Sequence, residues 1–363
     1  MLPDEKFLSE LLSCPSITPD DAGASEIIAQ YLGVPPQIFD NNKTTNRLFE
    51  IQGQHPKPEK YLLFVGHTDV VPTGPLEQWN NPPFEYQHSD PIIARGIVDM
   101  KGAIWAFCCA AKNKAPYLNA TIGILLTSDE EGDGIDGIQT VVEKLQKKSF
   151  YADYALVGEP TSINHVGDCY KHARRGSFTI YATISGTQGH TAYPQNSWSP
   201  SIPLQKALLA FTQYKQNLPK DHDASIFSIN TPTHTSNIIP EHVQIGINIR
   251  YFDPIVVTDC IRSLKQQGVT ITEQPGAKPY ASQPKASKLA LEKAIKDTVN
   301  LQAQASTLGG TSDARFLAPI TGEIIEFGLR SQYAHHINEQ ATHHDLEHLV
   351  LIYEKFLINL LGV

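Results

Sequence analysis

Residues 120–132, ATIGILLTSDEEG, carry an uncharged apolar run straight into three consecutive acids, Asp129, Glu130 and Glu131. A short continuous apolar run of this kind marks a strand buried on both faces, as in a parallel sheet covered by helices. The same grammar repeats on either side. YLLFVG at 61–66 ends in Gly66-His67-Thr68-Asp69, and YALV at 154–157 runs into Gly158-Glu159-Pro160. Helices are expected from about Lys101 and near 135–147. Strands alternating with helical patterns predict an α/β layer fold with a mixed, largely parallel sheet.

The pattern changes after the basic stretch Lys171-His172-Ala173-Arg174-Arg175-Gly176. A strand at 177–185 is followed by a helix at about 200–217, a strand near 224–230 and an alternating strand at 243–252. A helix at about 255–267 and a short strand, VTIT, complete the order βαββαβ. The expected organisation is a main domain of residues 1–175 and 281–363, interrupted by an inserted ferredoxin-like α+β domain at 176–280. Helical periodicity resumes at 288–299 and 345–361.

At 363 residues the chain exceeds the size at which one core keeps growing, so two domains suit its length. Apolar residues at 41% and charged residues at 18% argue against disorder. A formal charge of −9 opposes binding to nucleic acid or an anionic membrane and leaves a small-molecule partner. No run has the length to span a bilayer, and the opening MLPDEKFLSELLSCPS lacks the basic start and long apolar core of a signal peptide. Cys14, Cys108, Cys109, Cys169 and Cys260 form no CxxC pair, which suits reduced, packed thiols in a cytoplasmic enzyme.

The chemistry gathers at predicted strand ends. His67 and Asp69 are two apart on an extended segment and share a face. A carboxylate there would accept the histidine's second N–H, with His67 as metal ligand and Asp69 behind it; a turn hydrogen bond is the plainer alternative. Asp99, in RGIVDMKG, precedes a helix and reads equally as its cap. Three acids in a row repel one another unless solvated or shared with cations. Glu159 and His335 complete the set. Ligands in open α/β sheets bind beyond the carboxyl ends of the strands, so these separate loops are expected to converge.

In order, GHTDVVP, RGIVDMKG, DEEG, GEPT and AHHINE resemble the motifs of the dinuclear zinc aminoacylase and carboxypeptidase family. RRGSFTIYATISGTQGHTAYP at 174–194, SNIIP at 236–240 and GGTSDARF at 309–316 resemble its members that remove succinyl from a diamino diacid. The resemblance implies two Zn2+ per subunit, with Asp99 bridging, His67 and Glu159 completing one site, and Glu131 and His335 the other. His335 rather than His336 has the family spacing to Ile337-Asn338-Glu339. Oxygen and imidazole ligands also admit Co2+ or Mn2+.

Glu130, matching no ligand position, is implied as general base, and Asp69 is implied as a catalytic residue. His190 is implied as an oxyanion donor reaching in from a partner subunit, hence a homodimer in which the inserted domain serves as interface and lid. Lys171 and Arg174, with Arg175, form a tight basic cluster suited to carboxylates. Tyr193, Asn237, Arg250, Gly310 and Thr311 match family substrate positions. The implied reaction cleaves N-succinyl-L,L-2,6-diaminopimelate to succinate and L,L-2,6-diaminopimelate, a step of lysine and diaminopimelate biosynthesis. Leu329, Arg330, Ser331 and Gln195 depart from the family pattern near the pocket and leave substrate choice open. The alternatives are an acetylornithine-type deacylase, a dipeptidase, or a noncatalytic metal-binding regulatory protein on the same fold.

Overall fold

The apolar runs become the strands of an eight-stranded sheet in a computed structural model that describes residues 2–53, 59–132, 134–232, 235–310 and 312–362. Two compact units emerge: Met1–His172 with Ser282–Ser306 and Ser312–Val363, and Ala173–Ala281 with Thr307–Thr311.

In the first unit the strands run in the order Gln37–Ile38, Arg47–Gln52, Ala120–Thr127, Lys60–His67, Ala152–Val157, Thr321–Glu326, Cys169–Lys171 and Gln304–Ser306. The four central strands are mutually parallel, and antiparallel strands flank them. Register decides what this arrangement displays. His67 lies opposite Thr127, Val65 opposite Val157, and Val157 opposite Glu326, so four strands end at one edge of the sheet. The loops that follow carry Asp69, Glu130 and Glu131, Glu159, and His335.

Every residue of Ala120–Thr127 is buried, as an apolar strand between two layers requires. Helix Gly102–Lys114 is buried from Gly102 through Ala111, its sequence being apolar all round. Phe64 stacks on Phe107 at 4.1 Å, and the ring of Tyr353, from helix His343–Leu361, meets both edgewise. Each such side chain contributes about 1.5–3 kcal/mol by leaving water. The five cysteines are buried and unpaired.

Helix Ala286–Val299 has no side-chain cap from its own N-cap residue. Glu323, on the strand Thr321–Glu326, supplies one. Its carboxylate accepts from the main-chain N–H groups of Ala286 (3.2 Å) and Ser287 (2.9 Å) and from the Ser287 hydroxyl (2.6 Å).

The second unit is a four-stranded antiparallel sheet in the order Asp223–Asn230, His242–Tyr251, Gly176–Ser185, Thr270–Pro275, with helices Ser201–Gln216 and Ile255–Lys265. Alternation sorts its faces. Ile180, Ala182, Ile184, Ile245, Ile247 and Ile249 pack with Phe211, Val257, Cys260 and Leu264 from the helices. On the opposite face Tyr181 meets Phe227 at 6.0 Å. Gly246 lies beneath that pair, where a β-carbon would come within 2.6 Å of the Phe227 ring. The last strand runs on to Pro275, beyond the VTIT segment that its apolar residues mark.

Candidate metal centre

Asp99 is the pivot of the loop cluster. It sits in the turn Ile97–Lys101 but has extended rather than helical backbone angles (φ −126°, ψ 92°), which point it away from a capping role toward the sheet edge. His67 Nε2 lies 3.2 Å from its Oδ1, and His335 Nε2 lies 3.3 Å from its Oδ2. His335 also lies 2.8 Å from Glu131 Oε1. Two triads result, His67 with Asp99 and Glu159, and Asp99 with Glu131 and His335, each offering three donor atoms within 4.8 Å of one another. Glu130 joins His67 and Glu131 in a third such group.

Electrostatics describe a site short of positive charge. Burial alone would raise the Asp99 carboxyl, but hydrogen bonds from His335 and His67 hold it well below the usual range. His335 is pushed up to about 10 by Asp99 and Glu131. His67 is raised well above its ordinary value because Asp99, Asp69 and Glu130 outweigh its burial. Glu130 is pushed strongly up, first by burial and then by the Glu159 carboxylate. Crowded carboxylates and imidazoles with no thiolate among them are a donor set for a borderline divalent cation, so the residues fit the metals that the family resemblance implies.

Asp69 differs from the sequence expectation in one respect. The nearest partner of His67 Nδ1 is the Asp69 main-chain carbonyl, at 2.9 Å, while the Asp69 carboxylate stands off at 3.6 Å. That carboxylate accepts instead from the main-chain N–H groups of Glu131 (3.1 Å) and, more loosely, Glu130 (3.4 Å). It shapes the turn that presents the two acids. By accepting from Nδ1–H, the carbonyl fixes the His67 ring as a carboxylate would, which frees the Asp69 side chain for this second task.

Sequence reasoning passed over Glu339 and Arg95. Both are fully buried and joined at 2.7 Å. Glu339 also accepts from the main-chain N–H groups of Gly96 (2.9 Å), Val98 (2.8 Å) and Asp99 (3.1 Å). Arg95 in turn donates to the His336 carbonyl at 3.1 Å. One carboxylate thus ties the loop bearing Asp99 to the loop bearing His335. Asp313 is a third omission. It is buried, and its carboxyl is pushed up to about 7 chiefly by that burial. The signal was present for all three, since each lies inside a quoted motif, but a motif does not say which of its residues point inward.

The remaining expected site residues fall outside this cluster. Lys171 is buried at the end of Cys169–Lys171. In the second unit, strand Gly189–His190 pairs with Ile238–Ile239, which brings His190, Tyr193 and Asn237 together. The Thr191 N–H donates to the Asn237 carbonyl at 3.1 Å, and the Tyr193 ring lies 5.6 Å from that of His190. Arg174 donates to the Gly310 carbonyl at 3.1 Å. Arg250 is held below its ordinary value by burial and by neighbouring Arg175. Thr311 lies outside the described residues. Of the departures, Leu329 is buried and Arg330 is engaged by Asp345 at 2.6 Å. The Ser331 N–H donates to the Ser162 carbonyl at 2.9 Å.

A parallel sheet whose carboxyl edge gathers two His-carboxylate triads around one shared aspartate defines a metal-dependent hydrolase. The chain belongs to the peptidase family M20/M25/M40, whose sequence model matches residues 63–359. It is an amidohydrolase of that family. Curated relatives include the succinyl-diaminopimelate desuccinylases of Delftia acidovorans, 36% identical over 97% of this chain and 96% of that one, and of Acidovorax ebreus, 34% identical over 99% and 98%. Solved structures with the same fold include an M20 family metallo-carboxypeptidase from Sulfolobus solfataricus, with TM-score 0.76, 19% identity, and 99% of each chain covered. Another is the aminopeptidase PepT of Bacillus cereus, with TM-score 0.75, 18% identity and the same coverage. Among the described residues no helix is long and apolar enough to cross a membrane.

Proposed function

We propose that this chain hydrolyses N-succinyl-L,L-2,6-diaminopimelate to succinate and L,L-2,6-diaminopimelate, with two zinc ions per subunit held by His67, Asp99, Glu131, Glu159 and His335. The observation that carries the two-ion reading is the Asp99 carboxylate, approached by His67 at one oxygen and His335 at the other. Co2+ or Mn2+ are accepted by the same donors. A bound metal pair supplies an acidified water and a polarised amide carbonyl.

The chain's own residues do the rest. Glu130 takes the proton from the attacking water and returns it to the leaving amine nitrogen as the C–N bond breaks. The Ala192 N–H donates to His190 Nδ1 at 3.0 Å, which assigns the ring proton to Nε2 and makes that nitrogen a donor for an oxyanion. Arg174, Lys171 and Arg250 serve the substrate carboxylates, and Tyr193, Asn237, Gly310 and Thr311 are further substrate contacts on this reading. Asp69 is a positioning residue for Glu130 and Glu131.

The same reading makes the enzyme a cytoplasmic homodimer, with the second unit as interface and lid. Unpaired buried thiols support the compartment. Phe227 and Ile229, exposed on the edge strand Asp223–Asn230, support the interface.

The test is to incubate zinc-loaded protein with succinyl-diaminopimelate, acetylornithine and simple dipeptides and to identify the acids and amines released. Succinate and diaminopimelate in excess over other products are expected. Faster turnover of acetylornithine would move the substrate assignment, and bound zinc without hydrolysis of any amide would remove the function.

A further inference from the structure

A second gathering of imidazoles lies apart from the metal centre and shares no residue with it. His344 and His348 are four residues apart at the start of helix His343–Leu361, a spacing that stacks side chains on one face. Their ring centroids are 3.9 Å apart with planes inclined at 57°. Both line a cavity of about 200 Å³ whose wall also holds His165, Val166 and Asp345. Asp345 is already taken by Arg330, at 2.6 Å, so the open donors are imidazole nitrogens. None of the three rings makes a hydrogen bond to a described residue.

Two imidazoles in ring contact repel when both are protonated and attract nothing when both are neutral. Burial and then His344 hold His348 below the ordinary histidine range, which favours its neutral, metal-binding form. Two histidines at i and i+4 on one helix face form a ready bidentate chelate. The positive end of the helix opposes a cation there, and the Asp345 and Glu347 carboxylates act on His348 in the opposite sense.

We propose that His344 and His348 chelate a single divalent transition-metal cation at this cavity, with water completing the shell. Imidazole donors without thiolate rank Cu2+ and Ni2+ above Zn2+ or equal to it. The site is peripheral, and its occupancy is independent of amide hydrolysis.

Titrating Ni2+ calorimetrically into the full-length protein and into a His344→Ala/His348→Ala variant tests this. The wild type is expected to bind one more equivalent than the variant, and hydrolysis of the amide substrate by the zinc-loaded proteins is expected to be equal. Ni2+ should raise the thermal midpoint of the wild type above that of the double variant, while the two coincide without metal. Equal Ni2+ stoichiometry in wild type and double variant would overturn the site.

Discussion

Glu130 and Glu131 are adjacent in the chain and opposite in task. Glu131 meets His335 at 2.8 Å, whereas Glu130 faces Glu159 and His67 and carries a strongly raised proton affinity. Glu130→Gln keeps the shape and removes the proton acceptor. Turnover is expected to fall by at least 10²-fold while metal content, measured by elemental analysis, stays at the wild-type level. Near-wild-type turnover would remove Glu130 from the chemistry. Glu339 makes the contrasting case. Its removal leaves Arg95 buried without its partner and releases three main-chain N–H groups around Asp99. Breaking a buried pair of this kind costs about 3–5 kcal/mol. Glu339→Ala should therefore lower the denaturant midpoint and weaken metal binding in titrations; metal affinity unchanged in a destabilised variant would confine Glu339 to the fold. The proposed ligands were legible because His67, Glu131 and Glu159 lie at the ends of apolar strands and all five fall within the quoted motifs. Glu339 was not, because its partners Gly96 and Val98 are more than 240 residues away and act through the main chain.

Glu323 shows the same blindness at the level of a helix. The periodicity of 288–299 announces the helix, but its N-terminus is capped by a strand residue 36 positions later. Burial raises the Glu323 carboxyl, and hydrogen bonds from the Ser287 hydroxyl and the main-chain N–H groups of Ser287 and Ala286 outweigh it, so the net shift is downward. A carboxyl lowered on folding contributes stability above its unfolded value, near 4.5, and loses that contribution as pH falls through the lower folded value. Glu323→Gln is expected to destabilise by about 1 kcal/mol at pH 7, the ordinary worth of a cap, with the difference from wild type fading below about pH 4. A difference independent of pH across urea unfolding curves would show the charge to be irrelevant. The second unit's element order and the first unit's strands at 61–66, 120–127 and 154–157 follow from apolar runs and alternation, whereas Arg47–Gln52, Thr321–Glu326 and helix Ala24–Leu32 went unread. Strand ends were less legible, since Thr270–Pro275 continues through polar residues that only pairing with Thr179 and Phe178 makes extended.

The second unit folds around its own core, and the reading that it also joins two subunits carries a distinctive prediction. His190→Ala and Glu130→Gln proteins, each inactive, should regain activity when refolded together. Random pairing gives half mixed dimers with one intact site in two, about a quarter of wild-type activity. Mixed dimers that form but stay inactive would rule out donation of His190 between chains.

The parallel pairing of Thr321–Glu326 with Ala152–Val157 has a consequence for the order of events during synthesis. The strand that completes the central sheet leaves the ribosome some 160 residues after its neighbour, with the whole second unit produced in between. That unit's contacts are local by comparison, so it can fold on the tether while the first waits for its missing strand. His335 emerges later still. A nascent chain halted before it carries the proposed ligands His67, Asp99 and Glu159 but not the second triad, so on that assignment full metal capacity waits for His335.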